Sequence, residues 1–276
     1  ATDAISDFLQ ENANHFPSLE NAAQRVRDDV DNASDNFEQG LRAWLGNVFG
    51  IDYRLASLPR GIARRVADGG RLLEVSNILP PETALFQVSH QIGLLAADGE
   101  INQIIAASNL PEQDAPALSR NVLASYFAAA LIMPYVRFFH AAEDSRYDVD
   151  RLARQFGTSF EQVCHRLTTL QRPGMQGIPL HLMRTDIAGN ISKRFSLSGI
   201  HIPRHSGACP RWNVYSAFLA PGRTNLQLSQ MPDGQTYFCI ARSFEKGAHR
   251  HNAPRRHFLG QRFRHADHAG LEAVMG

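Results

Sequence analysis

Apolar residues in the first half of the chain recur at the spacing of helices. The clearest stretch is 82–97, whose apolar residues lie three or four positions apart and define one buried helix face: Leu85, Val88, Ile92 and Leu95. The same reasoning predicts helices over 4–35 with an interruption at Phe16-Pro17-Ser18, and over 41–48, 101–107 and 115–139.

Residues 148–171 predict a helix, a glycine turn and a second helix, with Ser159 as the cap of the second. A unit of this kind either reads DNA or packs within a domain. We interpret it as a packing unit.

Alternating apolar and polar positions predict strands in two parts of the chain. Residues 51–55 and 71–76, with a turn at Gly69-Gly70, indicate a small antiparallel sheet that leads into the helix at 82–97. After Pro173, short runs between Gly-, Pro- and Asn-rich turns indicate an antiparallel sheet or half-barrel: 178–184, 192–198, Ala217, 225–229 and 236–242.

The predicted fold class is therefore α+β. We expect a helical domain with a small sheet at 1–172, an antiparallel β-rich domain at 173–245, and a basic, His-rich tail at 246–276.

Charge is divided unevenly along the chain. The 276 residues carry a net charge of +1, but residues 1–145 hold 10 Lys and Arg against 19 Asp and Glu, and residues 146–276 hold 18 against 8. A basic second half favours an anionic partner, such as ligand phosphates or nucleic acid.

No run approaches the roughly 18 apolar residues of a membrane span, and the N-terminus lacks a secretory leader. We expect a cytoplasmic protein without a membrane partner.

Three cysteines, Cys164, Cys209 and Cys239, are widely separated. Their odd number argues against a disulfide framework. Three thiolates that converge in the fold can hold an iron–sulfur cluster, such as a 4Fe–4S cluster, together with a fourth ligand. Unligated buried cysteines are the other interpretation, and both stay open.

The stretch His90-Gln91-Ile92-Gly93-Leu94 lies on the predicted helix at 82–97. A zinc site of the form His-Glu-x-x-His needs two histidines one turn apart and a glutamate as base, whereas Gln91 cannot be a base and Leu94 cannot be a ligand. Downstream, 126–134 resembles the Phe-Ala-Ala-Glu-Leu-Leu-Met-Pro block of ImmA/IrrE-type metallopeptidases, whose glutamate is the third metal ligand. Ala130 occupies its position. The resemblance implies a degenerate ImmA/IrrE-like domain without catalytic zinc or enzymatic activity.

Four further blocks resemble one family of regulators in order and spacing: 159–173, 186–196, 209–215 and 231–234. Over residues 1–245 the chain is similar to the short-chain fatty acyl transcriptional regulators of the PrpR/RamB group, with the propionate-responsive type nearest. The resemblance implies a core that senses short-chain acyl-CoA of the propionyl-CoA type and controls short-chain fatty acid and propionate catabolism genes. It also implies promoter DNA binding through an N-terminal helix-turn-helix absent from this chain. A homodimer is expected, since such regulators read paired half-sites.

The chemistry of an acyl-CoA indicates which residues to expect at its site. Its phosphates require Arg, Lys or backbone donors, and its acyl thioester favours an apolar, aromatic-lined slot. We predict Lys193, Arg194 and Arg211 as phosphate contacts, although adjacent strand residues face opposite ways. For the acyl end we predict the former peptidase cavity, with His90, Phe86, Tyr126 and Phe127. The alternative for His90 is a core histidine with satisfied hydrogen bonds.

Two other functions stay open. An iron–sulfur redox-sensing domain would use Cys164, Cys209 and Cys239, and a residual metallopeptidase would need a substituted metal site that includes His90. Both differ from acyl-CoA sensing because they require a bound metal.

Overall fold

The computed structural model describes residues 2–108, 110, 115–186, 190–198, 213–230 and 234–244, and the backbone of 255–263. The chain divides into two compact units. Unit 1 consists of residues 1–5, 16–141 and 150–162, and unit 2 consists of residues 6–15, 142–149 and 163–276.

Helices dominate the first 170 residues and strands dominate the remainder. The helices are α1 (Thr2–Glu11), α2 (Pro17–Ala33), α3 (Phe37–Phe49), α4 (Pro81–Ala96), α5 (Asp98–Ala106), α6 (Ala115–Ile132), α7 (Tyr135–Asp144), α8 (Val149–Phe156), α9 (Phe160–Leu167) and α10 (Asn213–Ser216). The strands are β1 (Asp52–Ala56), β2 (Arg64–Ala67), β3 (Leu72–Ser76), β4 (Gln171–Arg172), β5 (Met175–Gln176), β6 (Leu180–Thr185), β7 (Ile191–Ser196), β8 (Asn225–Gln230), β9 (Thr236–Phe244) and β10 (Arg255–Phe263). The predicted α+β class is confirmed.

The small sheet of unit 1 has the strand order β1-β3-β2. Strands β2 and β3 form an antiparallel hairpin, whose turn contains Gly69 and Gly70, both at positive φ, where glycine is favoured. Strand β1 pairs with β3 in parallel, so the prediction that this sheet is antiparallel throughout is wrong. The reason is the unpredicted strand β2, which takes the antiparallel edge of β3 and leaves β1 to pair at the other edge.

The predicted helix over 115–139 is two helices, α6 and α7, bent by 67°. Pro134 lies between them, and a proline cannot donate the hydrogen bond that would continue α6. The side chain of Arg27, on α2, donates through Nη1 to the carbonyls of Leu131 (3.2 Å) and Ile132 (3.3 Å) at the end of α6. In the described part of the chain, no single helix has the length and apolar composition to cross a membrane, and α6 with α7 meets that test only as a bent pair.

Helices α2 and α3 approach closely at Gly40. A Cβ added there would lie 2.6 Å from the carbonyl oxygen of Val30, which belongs to the backbone and cannot move aside easily. We expect Gly40→Ala to lower the free energy of unfolding by about 1–3 kcal/mol, because overpacking outweighs the better helix propensity of alanine. Urea denaturation followed by circular dichroism measures the change.

Gly46 provides a matched control on the same helix. A Cβ at this position would meet nothing within 4 Å, so Gly46→Ala is expected to be neutral or to stabilise by up to about 1 kcal/mol. Equal effects of the two substitutions would contradict the close approach at Gly40.

Unit 2 contains a five-stranded antiparallel sheet in the order β7-β6-β10-β9-β8. One face carries a buried cluster, against which Ile191 and Tyr215 pack: Met183, Ala217, Tyr237, Cys239 and Ala241. Ala217 follows the short helix α10, so the strand predicted there is wrong; its small side chain fills the cluster instead. Part of the expected tail at 246–276 also differs from the prediction, because residues 255–263 form the central strand β10, hydrogen-bonded to β6 and β9.

The predicted cap of the second helix in the 148–171 unit is confirmed. The amide of Gln162 donates to Ser159 Oγ (3.2 Å), and the amide of Ser159 donates to Gln162 Oε1 (2.9 Å). This reciprocal pair is a capping box, which fixes the start of α9.

Candidate functional site

Helix α4, which carries the degenerate peptidase motif, binds the positively charged side chain of Arg64 from the same chain. Three side chains of α4 converge on the guanidinium of Arg64, which projects from β2. Its Nε donates to Gln91 Oε1 (3.2 Å), its Nη1 to Gln87 Oε1 (2.5 Å) and its Nη2 to His90 Nδ1 (2.8 Å). Positions on a helix three and four apart share a face, so Gln87, His90 and Gln91 together form one polar patch on α4.

His90 is held on both ring nitrogens. Arg64 can only donate, so Nδ1 of His90 must accept, and Nε2 therefore carries the proton that it donates to the carbonyl of Asn121 (3.1 Å). Burial, and next the charge of Arg64, lower the pKa of His90 to about 4. The geometry is that of a core histidine with satisfied hydrogen bonds, the alternative considered from the sequence.

The side chains at the peptidase positions do not fit a zinc site. Gln91 is engaged by Arg64, and Leu94 and Ala130 have no donor atoms for a metal. Within the described residues, no group of three His, Cys, Asp or Glu side chains is placed to hold a metal ion. Arg64 instead supplies the positive charge beside His90.

The three aromatic residues predicted for the acyl end lie in different surroundings in unit 1. Phe127 is fully buried, and its ring lies against Gly93 of α4. Tyr126 is buried and donates its hydroxyl to Glu20 Oε1 (2.6 Å) while its ring packs edge-on against Phe16. Phe86 is only half-buried. No contact of these residues tests ligand binding, so the acyl pocket stays a prediction.

The predicted phosphate contacts lie on β7, in unit 2. Lys193 is exposed and is paired in register with Arg184 of β6, so two cations share one face of the sheet. Arg194 is half-buried and is paired with Met183, on the opposite face. Lys193 and Arg194 therefore lie on opposite faces of the sheet, as the alternation of residues along a strand requires. Arg211 lies outside the described residues.

Two of the three cysteines, Cys164 and Cys239, lie in buried positions. Cys239 lies in the core cluster of unit 2, with its Sγ 3.8 Å from Nε2 of the buried His181, whose Nδ1 lies 2.7 Å from Ser198 Oγ. Burial raises the pKa of the Cys239 thiol to about 12 and lowers the pKa of His181 to about 3. A bound metal would itself deprotonate a coordinating thiol, so these contacts do not test cluster ligation, and the iron–sulfur assignment stays a prediction. Cys164 is also buried, and Cys209 lies outside the described residues.

Sequence reasoning missed Arg64 and Gln87. The segment Arg64-Arg65-Val66-Ala67 has no alternation that marks it as a strand, so nothing placed Arg64 opposite α4. Gln87 carried a weak signal, because it precedes Gln91 by one helical turn and shares its face.

The two halves of the chain match two known domain families. Residues 48–168 match the IrrE N-terminal-like domain of the M78 peptidase family, and residues 169–270 match the domain described as "Short-chain fatty acyl coenzyme A regulator, C-terminal". The solved structure of a Mycobacterium tuberculosis transcriptional regulator superposes with a TM-score of 0.87 at 36% identity, covering 95% of this chain and 81% of that one. The fold and the matched domains thus define a regulator built on a peptidase-like domain.

Curated relatives agree on the family. The HTH-type transcriptional regulator PrpR of Mycobacterium tuberculosis is 39% identical over 240 residues, which are 87% of this chain and 49% of PrpR. RamB of the same organism is 35% identical over 266 residues (95% and 56%), and the propionyl-CoA carboxylase regulator of Cereibacter sphaeroides is 37% identical over 272 residues (95% and 56%). The chain belongs to the short-chain fatty acyl coenzyme A regulator family, and it spans about half the length of these relatives.

Proposed function

We propose that this chain is the effector-binding core of a transcription regulator that senses a short-chain acyl-CoA of the propionyl-CoA type. The observation that carries the proposal is the match of residues 169–270 to the regulator domain named for short-chain fatty acyl coenzyme A. The relatives named HTH-type regulators are about twice as long as the matched segment, and we assign promoter recognition to their remaining length. Control of propionate and short-chain fatty acid catabolism genes, and assembly as a homodimer, belong to the same proposal.

The mechanism requires no chemical step. An effector changes DNA binding if it binds two conformations of the core with different affinities, and the difference sets the size of the response. The donor set beside His90 supports this mechanism over hydrolysis, since Arg64, Gln87 and Gln91 supply neither a metal ligand set nor a general base.

The cationic face of the sheet in unit 2 supports a phosphate contact. Lys193 and Arg184 are cross-strand neighbours, so two cationic side chains lie next to each other on this face of the sheet. Charge-assisted hydrogen bonds from adjacent cationic side chains are the contacts that a pyrophosphate or a 3′-phosphate accepts. We assign Lys193 as the leading phosphate contact and Arg194, which shares the opposite face with Met183, as the lesser one.

Calorimetry tests the proposal. Propionyl-CoA, acetyl-CoA and free CoA are titrated into the chain, and we expect saturable heat with the acyl-CoAs. Lys193→Ala is expected to weaken binding about tenfold or more, because one charge-assisted hydrogen bond is lost, and Arg194→Ala is expected to weaken it less. The double variant Lys193→Ala, Arg194→Ala combines both.

Arg223→Ala is the matched control, since Arg223 is an exposed arginine of the same unit that precedes β8. It should bind like the unaltered chain. Absence of saturable heat with any of the three ligands would refute acyl-CoA sensing by this core. An unchanged affinity in the double variant would refute only the phosphate assignment.

The iron–sulfur alternative predicts iron and a brown colour after anaerobic purification, both lost in Cys164→Ser. Among the described residues no contact favours it over acyl-CoA sensing. Stoichiometric zinc bound through His90 would revive the peptidase alternative.

A further inference from the structure

Arg64 differs from most arginines of the acidic half in the charge of its partners. Seven of the ten arginines in residues 1–145 form an ion pair with a carboxylate: Arg25, Arg27, Arg54, Arg65, Arg71, Arg120 and Arg137. This half holds 19 Asp and Glu, so carboxylates are abundant. Among the described residues, the hydrogen-bond partners of Arg64 are nevertheless two amide oxygens and a neutral imidazole.

The neighbouring position on the same strand shows the contrast. Arg65 faces the other side of the sheet, where it and Arg54 both bind the carboxylate of Glu74. Those hydrogen bonds, from Arg54 and from Arg65, lower the pKa of Glu74. Arg64 is half-buried, and desolvation is the cause that lowers its pKa, with no carboxylate of the described residues acting on it. On one face of β2, Arg65 is therefore paired with a carboxylate, whereas on the other face Arg64 has no carboxylate partner among the described residues.

A partly desolvated cation without a counter-charge is costly to keep in a folded protein. The fold nevertheless fixes this guanidinium from three sides, through Gln87, His90 and Gln91. Five N–H groups are available to an arginine, and these contacts use three of them, leaving one further N–H on each terminal nitrogen. The two remaining donors match the two oxygens of a carboxylate.

We propose that Arg64 is the anchor of an oxyanion site on unit 1, and that its ligand is the carboxylate of a small organic acid. Gln87, His90 and Gln91 position the guanidinium, and their neutrality leaves its charge for the ligand. His90 contributes as an acceptor only in its neutral form, which is the form that the contact with Asn121 fixes. The site uses neither of the residues assigned as phosphate contacts, Lys193 and Arg194, but it shares His90 with the acyl pocket predicted from the sequence.

The test titrates the unaltered chain with sodium propionate and sodium acetate, with sodium chloride at equal ionic strength as the salt control and inorganic phosphate as the competing anion. Two readouts are followed: the Tm, and the Nε–H resonance of Arg64 in proton–nitrogen NMR spectra, assigned by its loss in Arg64→Lys. A carboxylate at about five times its Kd is expected to raise the Tm by about 2–4 °C. It should also shift the Arg64 resonance saturably.

Arg65→Lys is the matched control for Arg64→Lys, because it alters the adjacent arginine on the opposite face. We expect Arg65→Lys to keep the carboxylate response and Arg64→Lys to lose most of it. A lysine retains the charge but lacks the planar guanidinium that can donate two parallel hydrogen bonds to a carboxylate. If the lysine variant at position 64 fails to fold, the resonance of the unaltered chain still decides the question.

Three results would overturn the proposal. One is no saturable shift of the Arg64 resonance with either carboxylate beyond that caused by chloride. Another is an equal carboxylate response in Arg64→Lys and the unaltered chain. The third is tighter binding of phosphate than of carboxylate at this resonance, which would assign the site to phosphoryl groups. Failure of the acyl-CoA calorimetry would refute acyl-CoA sensing, whereas a saturable carboxylate response of the Arg64 resonance would still stand.

Discussion

Phe127→Ala is expected to lower the free energy of unfolding by about 3–5 kcal/mol, the range for removing a buried aromatic ring. Phe127 is fully buried on α6, and the space for its ring exists because position 93 of α4 is glycine: a Cβ there would lie 2.8 Å from Phe127 Cδ1. The ring joins the two central helices of unit 1, so its loss leaves a cavity that rigid helices cannot close. Urea denaturation at neutral pH measures the loss.

Phe86→Ala is the control, since Phe86 is a half-buried aromatic residue on α4 and should lose clearly less. The pair also separates the two roles considered for Phe127. A core residue loses stability when truncated, whereas a pocket residue loses ligand affinity first. Wild-type stability of Phe127→Ala combined with weakened propionyl-CoA binding would overturn the core assignment and return Phe127 to the acyl pocket.

Acid is expected to destabilise unit 1 through His90 before most carboxylates are protonated. The pKa of His90 is about 4 in the folded chain and about 6.5 when unfolded, so the unfolded state binds more protons between these values. Stability is therefore complete above pH 6.5 and falls as the pH approaches 4. The shift corresponds to about 3 kcal/mol at this one residue. Urea midpoints measured across this pH range report it.

His90→Gln should remove the part of that dependence that His90 contributes, whereas the buried His181 of unit 2, whose pKa is lowered to about 3, keeps its own part. A glutamine amide can accept from Arg64 and donate to Asn121 without titrating. His140→Gln is the control, because His140 is exposed and its replacement should leave the profile as it is. An identical pH profile for His90→Gln and the unaltered chain would show that His90 does not carry the acid response.

Helix positions and the family were predictable because their signals are local. The apolar spacing of 82–97 gave α4, and Ser159 gave the cap of α9, since both depend on residues within a few positions. Strand pairing depends on partners far along the chain. Nothing in the sequence of 255–263 indicates that it pairs with both β6 and β9, and the basic composition there suggested a tail.

The candidate site could likewise be predicted only as far as its signals are local in the sequence. The sequence alone identified a degenerate peptidase, because the metal-binding and basic residues of the motif are replaced at Gln91 and Ala130 while His90 is kept. The contact of Arg64 with His90 could not be predicted, since it depends on which face of an unpredicted strand meets α4. The sequence shows which functional groups are present, but it does not show which side chains from distant positions come into contact.

The bend at Pro134 has a mechanical consequence. Proline breaks usually leave carbonyls that exchange partners with water, which allows a helix pair to flex. Here Nη1 of Arg27 donates to two carbonyls at the end of α6, while its Nε is tied to Asp31 (2.7 Å) and its guanidinium lies over the ring of Phe37 (4.2 Å to the centroid). Asp31 also pairs with Arg137 of α7 (3.7 Å), so residues of α2 contact both helices beside the bend, and we expect these contacts to restrict its flexing.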